Sequence, residues 1–164
     1  MTGEEWALAA STFLSGLAAG FLGGLCTIIR PMQAEMDGRG FRSFMEAFLP
    51  VAEHSLGLVF NYAWSAGTTI AAIVALILLW DDPGSASFIL TAIGLAVWVI
   101  GVLIVSNVWK TPTYKKILAG EPQTLRADWE AVRGTYFAIN WIQLATTWIA
   151  FALFLLALIS LKAA

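Results

Sequence analysis

The charged residues of this chain are confined to short segments, and this distribution limits the possible folds more than any other feature. Four stretches contain no Asp, Glu, Lys or Arg: Trp6–Ile29, Ser55–Trp80, Pro83–Trp109 and Gly134–Leu161, of 24, 26, 27 and 28 residues. A helix of about 20 apolar residues crosses the hydrocarbon core of a bilayer, which is about 30 Å thick. We therefore predict an all-α, four-transmembrane-helix bundle, one integral-membrane domain over residues 1–164, with helices over 6–29, 55–80, 83–109 and 134–161.

Composition excludes several other classes of protein. Hydrophobic residues make up 59% of the chain, charged residues 12%, and the mean hydropathy is +0.78. Soluble domains are about 45–50% apolar and about 25% charged, and disordered chains are more polar still. The net charge of -2 disfavours binding to nucleic acid, so we expect no nucleic-acid partner.

Metal chemistry is limited by the same counts. Cys26 is the only cysteine and His54 the only histidine, which excludes a disulfide framework within the chain and any site that needs several of these residues. We expect no metal and no cofactor. His54 is interpreted as an interfacial hydrogen-bonding residue; the alternatives are a lone general base or one axial ligand of a tetrapyrrole.

The basic residues predict an orientation in the membrane. Only Lys162 lies on the same side as the acidic Asp81 and Asp82, and all other basic residues fall in the loops between helices 1 and 2 and between helices 3 and 4. By the positive-inside rule these two loops face the cytoplasm. We predict an up-down-up-down, multi-pass protein of the cell inner membrane with both termini on the outer, periplasmic side. We interpret the first stretch as a helix rather than a signal peptide, because a basic leading segment is missing from Met1–Glu5. The basic residues of the two loops are Arg30, Arg39, Arg42, Lys110, Lys115, Lys116, Arg126 and Arg133.

Two cytoplasmic segments have apolar residues at helical spacing. The segment Phe41–Leu49 predicts a short amphipathic turn on the membrane surface that ends near Pro50. The segment Leu125–Arg133 predicts an amphipathic start to helix 4, with Arg126 and Glu130 spaced as an i,i+4 ion pair on its polar side. We therefore expect amphipathic cytoplasmic segments beside the bundle.

Polar residues inside the predicted helices are concentrated toward their cytoplasmic ends. In helix 4 the residues Arg133, Tyr136, Asn140, Gln143 and Thr147 are separated by three or four positions, which places them on one helix face. Amide side chains are costly in hydrocarbon and usually face a bundle interior or a cavity. Two interpretations remain open: a polar chamber that binds a ligand, or hydrogen bonds that hold the helices together without one. The candidate ligand-binding residues are Asn61, Asn107, Tyr136, Asn140, Gln143 and Arg30.

Small and aromatic residues suggest contacts within the membrane. Gly16, Gly20 and Gly24 recur every four residues, a spacing that lets two helices approach closely. They predict either packing of helix 1 on helix 2 or a seam for a membrane-protein partner or a second copy of the chain. Four tryptophans inside the spans would fill space between helices or stack on a flat hydrophobic ligand. These are Trp64, Trp98, Trp141 and Trp148.

Three segments carry a resemblance to a known family. Helix 1 is rich in glycine and ends in Ile29-Arg30-Pro31-Met32, helix 3 ends in Ser106-Asn107-Val108, and a cytoplasmic run from Trp129 leads into Tyr136 and Asn140. In these features the chain resembles the DUF1772 family, often labelled anthrone-oxygenase-like, of small four-helix membrane proteins.

The resemblance implies a chemistry and a small set of matching residues. The family's histidine and arginine after the helix 4 asparagine are replaced by Trp141 and Gln143, so Asn107 and Asn140 are the residues that carry over. The implied reaction is oxidation of a hydrophobic polycyclic phenol, such as an anthrone, by oxygen without metal or flavin. Acid–base groups suited to that reaction are missing at the replaced positions.

Two classes of function follow. The first is a non-catalytic accessory subunit or a module that binds a hydrophobic ligand within the bilayer, favoured by the missing acid–base groups, the glycine spacing and the tryptophans inside the spans. The alternative is a cofactor-independent oxygenase of the anthrone-oxygenase type that acts on a hydrophobic aromatic substrate. The expected partners are the lipid bilayer, a membrane protein or a second copy of the chain, and a hydrophobic aromatic ligand.

Overall fold

The computed structural model of the chain describes residues 1–54, 56–119 and 127–163, and most of these are helical. Within these ranges there are five helices and no strand, which confirms the predicted all-α class. Four of the helices are long and apolar enough to cross a membrane, which indicates a multi-pass membrane protein. The helices are α1 (Gly3–Glu35), α2 (Gly38–His54), α3 (Leu56–Leu78), α4 (Ala86–Leu118) and α5 (Trp129–Ala163).

The surface of the bundle is apolar, as expected for a protein surrounded by lipid. At most 33% of the most apolar window of each candidate span is buried within the chain. Large side chains such as Phe13, Ile77 and Ile159 point outward and are more than half exposed. Exposing so large an apolar surface to water is unfavourable, so the outer faces of α1, α3, α4 and α5 suit the hydrocarbon of a bilayer. The up-down order of the spans and the sides of the termini stay predictions.

Small residues allow the four long helices to pack closely. Helix α1 packs against α3 and α5, and α4 packs against α5. At the centre, the fully buried Trp98 of α4 and Phe154 of α5 lie among Ala18, Ala72 and Ala150. Alanine at these positions leaves room for the two large rings, since buried side chains pack at near-crystalline density.

Helices α1 and α4 continue past the ends predicted at Ile29 and Trp109, to Glu35 and Leu118. Each contains a π-helical segment, Leu25–Ile29 in α1 and Ser106–Lys110 in α4, with a proline two residues beyond it. Proline has no N–H to donate, and here Pro31 and Pro112 stand in the first turn of a new α-helical segment, where that donor is not needed. The prolines therefore change the helical geometry without ending the helices.

This continuation corrects the position of two basic residues. Arg30 and Lys110 were expected in cytoplasmic loops, and the structure places both within continuous helices. A third π-helical segment, Val99–Ile104, ends two residues before the Ser106–Lys110 segment begins in the same helix. π-Helical turns are rare and are frequent at functional sites, so these regions of α1 and α4 are where a site is expected.

The predicted surface turn at Phe41–Leu49 is wrong in its length and in its contacts. Helix α2 continues through Pro50 to His54. Its apolar side chains Phe41, Met45 and Leu49 are buried against α4 and α5 rather than presented to lipid. At the second segment, α5 begins at Trp129, whereas Leu125 and Arg126, with the expected Arg126–Glu130 pair, lie outside the described residues.

Two arginines bind the carbonyl groups at the ends of neighbouring helices. The Nη1 atom of Arg133 donates to the carbonyl oxygen of Met36 at 2.7 Å and to that of Gln33 at 3.3 Å. Arg42 donates to the carbonyl oxygens of Leu118 and Ala119 at 3.1 Å each. The last carbonyl groups of a helix lack partners within the helix, and a cation there also complements the helix dipole. These contacts join the end of α1 to α5 and the end of α4 to α2.

The glycines of α1 have different surroundings. A Cβ atom added at Gly16 would lie 3.1 Å from the Phe151 ring of α5, a close contact between helices. Nothing in the described chain lies within 4 Å of a Cβ added at Gly20 or Gly24, so these two do not pack against α3 as expected. They line an open groove instead, a cavity of about 360 Å³ whose lining also includes Phe48 of α2. A partner seam at Gly20 and Gly24 stays a prediction.

Candidate functional site

The predicted site residues fall into two groups on different helix pairs. Asn61 of α3 and Asn107 of α4 are exposed side chains that line one cleft. Tyr136 and Asn140 of α5 are buried and face the end of α1. Gln143, one turn beyond Asn140, is buried and turns toward α4. The structure thus places parts of the predicted set together, without one cavity that all six residues are seen to line.

Asn61 and Trp64 are at the centre of the first group. They lie one turn apart on α3 and both line three neighbouring cavities, of about 270, 70 and 380 Å³. We call these three spaces the Trp64 cavities. Because all three cavities share Asn61 and Trp64 in their lining, together they extend along one side of α3, from α1 to α4.

The 270 Å³ cavity is apolar and aromatic. It lies between α1, α2 and α3, and its lining includes Phe21, Phe48, Phe60 and Trp64. The Trp64 ring centroid lies 5.1 Å from that of Phe21 and 6.3 Å from that of Phe60. These separations are those of interacting aromatic pairs, and the exposed ring faces suit a flat apolar molecule. Asn61 is the amide side chain in this lining.

The 70 Å³ cavity is the polar end of the set. Three side chains form a chain of hydrogen bonds along its wall: Lys110 Nζ donates to Gln143 Oε1 at 2.7 Å, and Gln143 Nε2 donates to Ser106 Oγ at 2.7 Å. Lys110 is only partly exposed, and no carboxylate of the described residues lies within ion-pair distance of it. A lysine inside a membrane helix normally pairs with an acid or faces a polar path. The cavity wall therefore carries the positive charge of Lys110, and the hydrogen-bond partner that the described residues give it is the neutral amide of Gln143.

The 380 Å³ cleft lies between α3 and α4. Ser65 and Asn61 line it from α3, and Ser106, Asn107 and Thr111 line it from α4. The Nδ2 atom of Asn107 donates to the carbonyl oxygen of Leu103 at 2.8 Å, within its own helix. The cleft is thus lined by amide and hydroxyl side chains together with Trp64.

The second group lies between α1 and α5. Gln33 and Tyr136 are fully buried and Asn140 is 1% exposed. The Tyr136 hydroxyl lies beside the side-chain amides of Gln33 and Asn140. The Arg30 guanidinium lies 5.2 Å from the ring centroid of Phe137, the residue after Tyr136.

The remaining tryptophans and the histidine considered from the sequence lie outside both groups. Trp98 is buried in the bundle core and donates to the Ser65 carbonyl oxygen at 3.4 Å, so it fills space between helices. Trp141 and Trp148 are about half exposed on α5. His54 is exposed at the end of α2. Among the described residues, no three His, Cys, Asp or Glu side chains come close enough together to hold a metal ion.

Three site residues were not singled out from the sequence: Lys110, Ser106 and Gln33. Lys110 and Gln33 fell in the predicted loops, because the charge-free stretches that set the helix ends stop at Trp109 and Ile29. The signal that could have identified Lys110 is its four-residue spacing from Ser106, which places the two on one face of a continuing helix. Gln33 follows Arg30 by three residues in the same way.

Comparison of the chain with protein-family models, with curated proteins and with solved structures finds no match. The resemblance to the anthrone-oxygenase-like family therefore stays a prediction from the sequence.

Proposed function

We propose that this protein binds a hydrophobic molecule, with an aromatic body and a polar end, in the Trp64 cavities within the membrane. The observation that carries the proposal is the pair Asn61 and Trp64, which lines an apolar aromatic cavity and a polar cavity at once. Ligand sites are mostly apolar concave spaces with a few placed polar groups, and the Trp64 cavities have this composition.

The lining favours a particular class of ligand. Phe21, Phe60 and Trp64 offer ring faces on one side, so a planar aromatic molecule gains stacking contacts beyond simple burial. At the other end, Lys110 offers a positive charge and Asn61 an amide. A phenol, a quinone or an aromatic acid has an oxygen atom that can accept from these groups. An apolar lipid chain would offer the Lys110 ammonium group no acceptor beyond the Gln143 amide.

A titration tests the proposal. The protein is placed in lipid nanodiscs, and 1,8-dihydroxyanthraquinone, a flat aromatic probe with phenol and carbonyl oxygens, is added while tryptophan emission is recorded. We expect saturable quenching in the wild type and at least tenfold weaker binding for Trp64→Leu and Asn61→Leu. The matched control is Trp148→Leu, since Trp148 is a half-exposed tryptophan of α5 outside the Trp64 cavities.

The control separates a site from simple partition into lipid. Equal quenching curves for wild type, Trp64→Leu and Asn61→Leu, or quenching that rises linearly without saturation, would contradict the proposal. Selective loss in the two α3 variants, with Trp148→Leu unchanged in affinity, would support it.

A second function, cofactor-independent oxygenation, is favoured by the position of Lys110. An ammonium group beside the polar cavity stabilises the oxyanion that forms when a phenol or an anthrone loses a proton. In oxidation of an anthrone, the ring methylene carbon loses two hydrogens and gains one oxygen atom of O₂, and the second oxygen atom leaves as water. Asn61 and Gln143 beside Lys110 would orient the anion by hydrogen bonds.

Oxygen uptake tests this second function separately from binding. Dithranol, an anthrone, is added to the nanodisc protein in an oxygen electrode cell, and its spontaneous oxidation is subtracted using empty nanodiscs. Uptake above this background that falls at least tenfold in Lys110→Met would favour the oxygenase. Saturable binding of the anthraquinone probe with no added uptake would leave ligand binding as the function.

A further inference from the structure

Lys110 has more hydrogen-bond donors than the described chain gives it acceptors. An ammonium group carries three N–H donors, and the acceptor found for Lys110 is the Oε1 atom of Gln143, at 2.7 Å. No carboxylate of the described residues lies within ion-pair distance of it. Lys110 and Gln143 both line the 70 Å³ cavity, so this amino group stands in the wall of a space that can hold part of a ligand.

The surroundings of Lys110 differ from those of the other lysines. The chain has four lysines, and Lys110 is the one that is not exposed. A cation without an acidic partner is costly inside a membrane helix, whereas a neutral amine in an apolar site is a nucleophile that forms imines with carbonyl compounds. The three exposed lysines keep their hydration and have no such cavity beside them in the set described above: Lys115, Lys116 and Lys162.

The neighbouring cavities provide room for a reactive group and for a ring system. The 70 Å³ cavity exceeds the roughly 30 Å³ that a water molecule occupies in the liquid, so an aldehyde group can enter it. It shares Phe21, Asn61 and Trp64 with the 270 Å³ aromatic cavity. A flat ring system in the larger cavity can therefore direct a substituent toward Lys110.

We propose that Lys110 forms an imine with a hydrophobic aromatic aldehyde held in the Trp64 cavities. This inference rests on the proposed ligand site and names a reactive class of ligand for it. The lone pair of the neutral Lys110 nitrogen attacks the carbonyl carbon and gives a carbinolamine. The carbonyl oxygen then leaves as water with the two hydrogens of the amino group, so a C=N bond replaces the C=O bond. No oxidant or reductant takes part.

The product matches the hydrogen-bonding groups of the site better than the free ammonium group does. A protonated imine keeps a single N–H donor, and the Oε1 atom of Gln143 is the single acceptor. Gln143 is held in place because its Nε2 atom donates to Ser106 Oγ at 2.7 Å. The ammonium form has two further N–H donors for which the described side chains supply no acceptor. Since donors removed from water are nearly always paired, this count favours the imine.

Reductive trapping tests the proposal on the wild-type chain. The protein in nanodiscs is incubated with 9-anthraldehyde, a flat aromatic aldehyde, and with sodium cyanoborohydride, which reduces an imine to a stable secondary amine. Peptide mass spectrometry measures the modified fraction of each lysine over time. The three exposed lysines are internal controls for ordinary reactivity, so the comparison does not depend on a variant that folds.

We expect Lys110 to be modified at least tenfold faster than Lys115 at low aldehyde concentration, with a rate that saturates. Excess 1,8-dihydroxyanthraquinone should suppress modification of Lys110 and leave that of Lys115 unchanged. Trp64→Leu should remove the preference for Lys110, and Trp148→Leu should keep it, because Trp148 does not line the Trp64 cavities.

Two results would overturn the imine: modification of Lys110 no faster than that of Lys115, or modification that the anthraquinone does not suppress. The quenching titration then separates the two levels of the account. Saturable quenching by the anthraquinone with no preferred modification of Lys110 leaves the ligand site standing and removes only the imine. Loss of both results contradicts the ligand site as well.

Discussion

Lys110 of α4 donates a hydrogen bond to Gln143 of α5 at 2.7 Å, in the wall of a cavity that Trp64 also lines. This contact joins a positive charge to a neutral amide inside the bundle. Ser106 accepts from the same amide, so the three side chains hold one another in place. Lys110 could therefore act in ligand binding or in holding the helices together, and measurements of probe affinity and of Tm distinguish these two roles.

Replacing Lys110 with methionine removes the charge while keeping a long apolar side chain. We expect the probe 1,8-dihydroxyanthraquinone to bind about 10 to 100 times more weakly, because a hydrogen bond to a charged group contributes about 1.5–3 kcal/mol. The Tm should change little, since removing a costly cation from a membrane helix offsets the lost hydrogen bond to Gln143. The measurement is the quenching titration in nanodiscs, with thermal unfolding in parallel.

Lys115→Met is the matched control for that prediction, because Lys115 is an exposed lysine of the same helix. It should leave both the affinity and the Tm near wild-type values. A fall in the Tm of Lys110→Met with unchanged probe affinity would show that Lys110 stabilises the bundle and does not hold a ligand.

Gly101 of α4 lies directly against Thr146 of α5. A Cβ atom there would overlap the Thr146 side chain, which leaves no room for alanine. We expect Gly101→Ala to lower the free energy of unfolding by about 1–3 kcal/mol, the usual cost of overpacking. Unfolding in mixed micelles titrated with sodium dodecyl sulfate measures the change.

Gly134→Ala provides the comparison, because no neighbouring side chain or helix among the described residues comes within 4 Å of a Cβ at Gly134. Alanine favours a helix over glycine, so this variant should gain up to about 1 kcal/mol. Adding Thr146→Gly to Gly101→Ala should restore part of the lost stability. Equal effects at Gly101 and Gly134 would show that α4 and α5 are not in contact there.

Arg133 holds the end of α1 against α5. Its guanidinium donates to the Met36 carbonyl oxygen and lies 4.5 Å from the Trp129 ring centroid. Arg133→Gln should lower the free energy of unfolding by about 1–3 kcal/mol, because the carbonyl groups at the end of α1 lose a charged donor. The same micelle titration tests it. Arg39→Gln should be neutral, and a neutral Arg133→Gln would refute the capping role.

The orientation in the membrane is a further prediction. The basic residues predict that the C-terminus faces the periplasm, by the positive-inside rule. Alkaline phosphatase folds and is active only outside the cytoplasm, so a fusion after Ala164 should be active. An inactive phosphatase fusion, together with a fluorescent green fluorescent protein fusion at the same position, would reverse the orientation.

The fold class was predictable because charges are excluded from long stretches of the sequence. Helix lengths were less predictable, since the predicted ends stood where the charge-free stretches stop, at Arg30 and Lys110. In the structure α1 and α4 continue through both residues, and Pro31 and Pro112 stand in the first turn of α-helical segments that follow π-helical turns. The path of α2 was also missed, because an amphipathic helix that packs on protein has the same pattern as one that lies on lipid.

The candidate site was predictable in its residue types more than in its grouping. Spacing placed Tyr136, Asn140 and Gln143 on one face of α5, and their burial agrees with that. A helix face covers a wide angle, however, so spacing alone did not separate the residues that meet α1 from Gln143, which meets α4. That separation depends on how three helices pack, which sequence periodicity does not specify.

Photolabelling tests the central claim most directly, because it reports where a hydrophobic aromatic ligand lies. An anthraquinone that carries a diazirine is irradiated with the protein in nanodiscs, and the labelled residues are identified by peptide mass spectrometry. We predict labels concentrated at Phe21, Phe60 and Trp64, suppressed by excess unlabelled 1,8-dihydroxyanthraquinone. Labels spread evenly over lipid-facing residues such as Ile77 and Ile159, and unaffected by the competitor, would contradict the account.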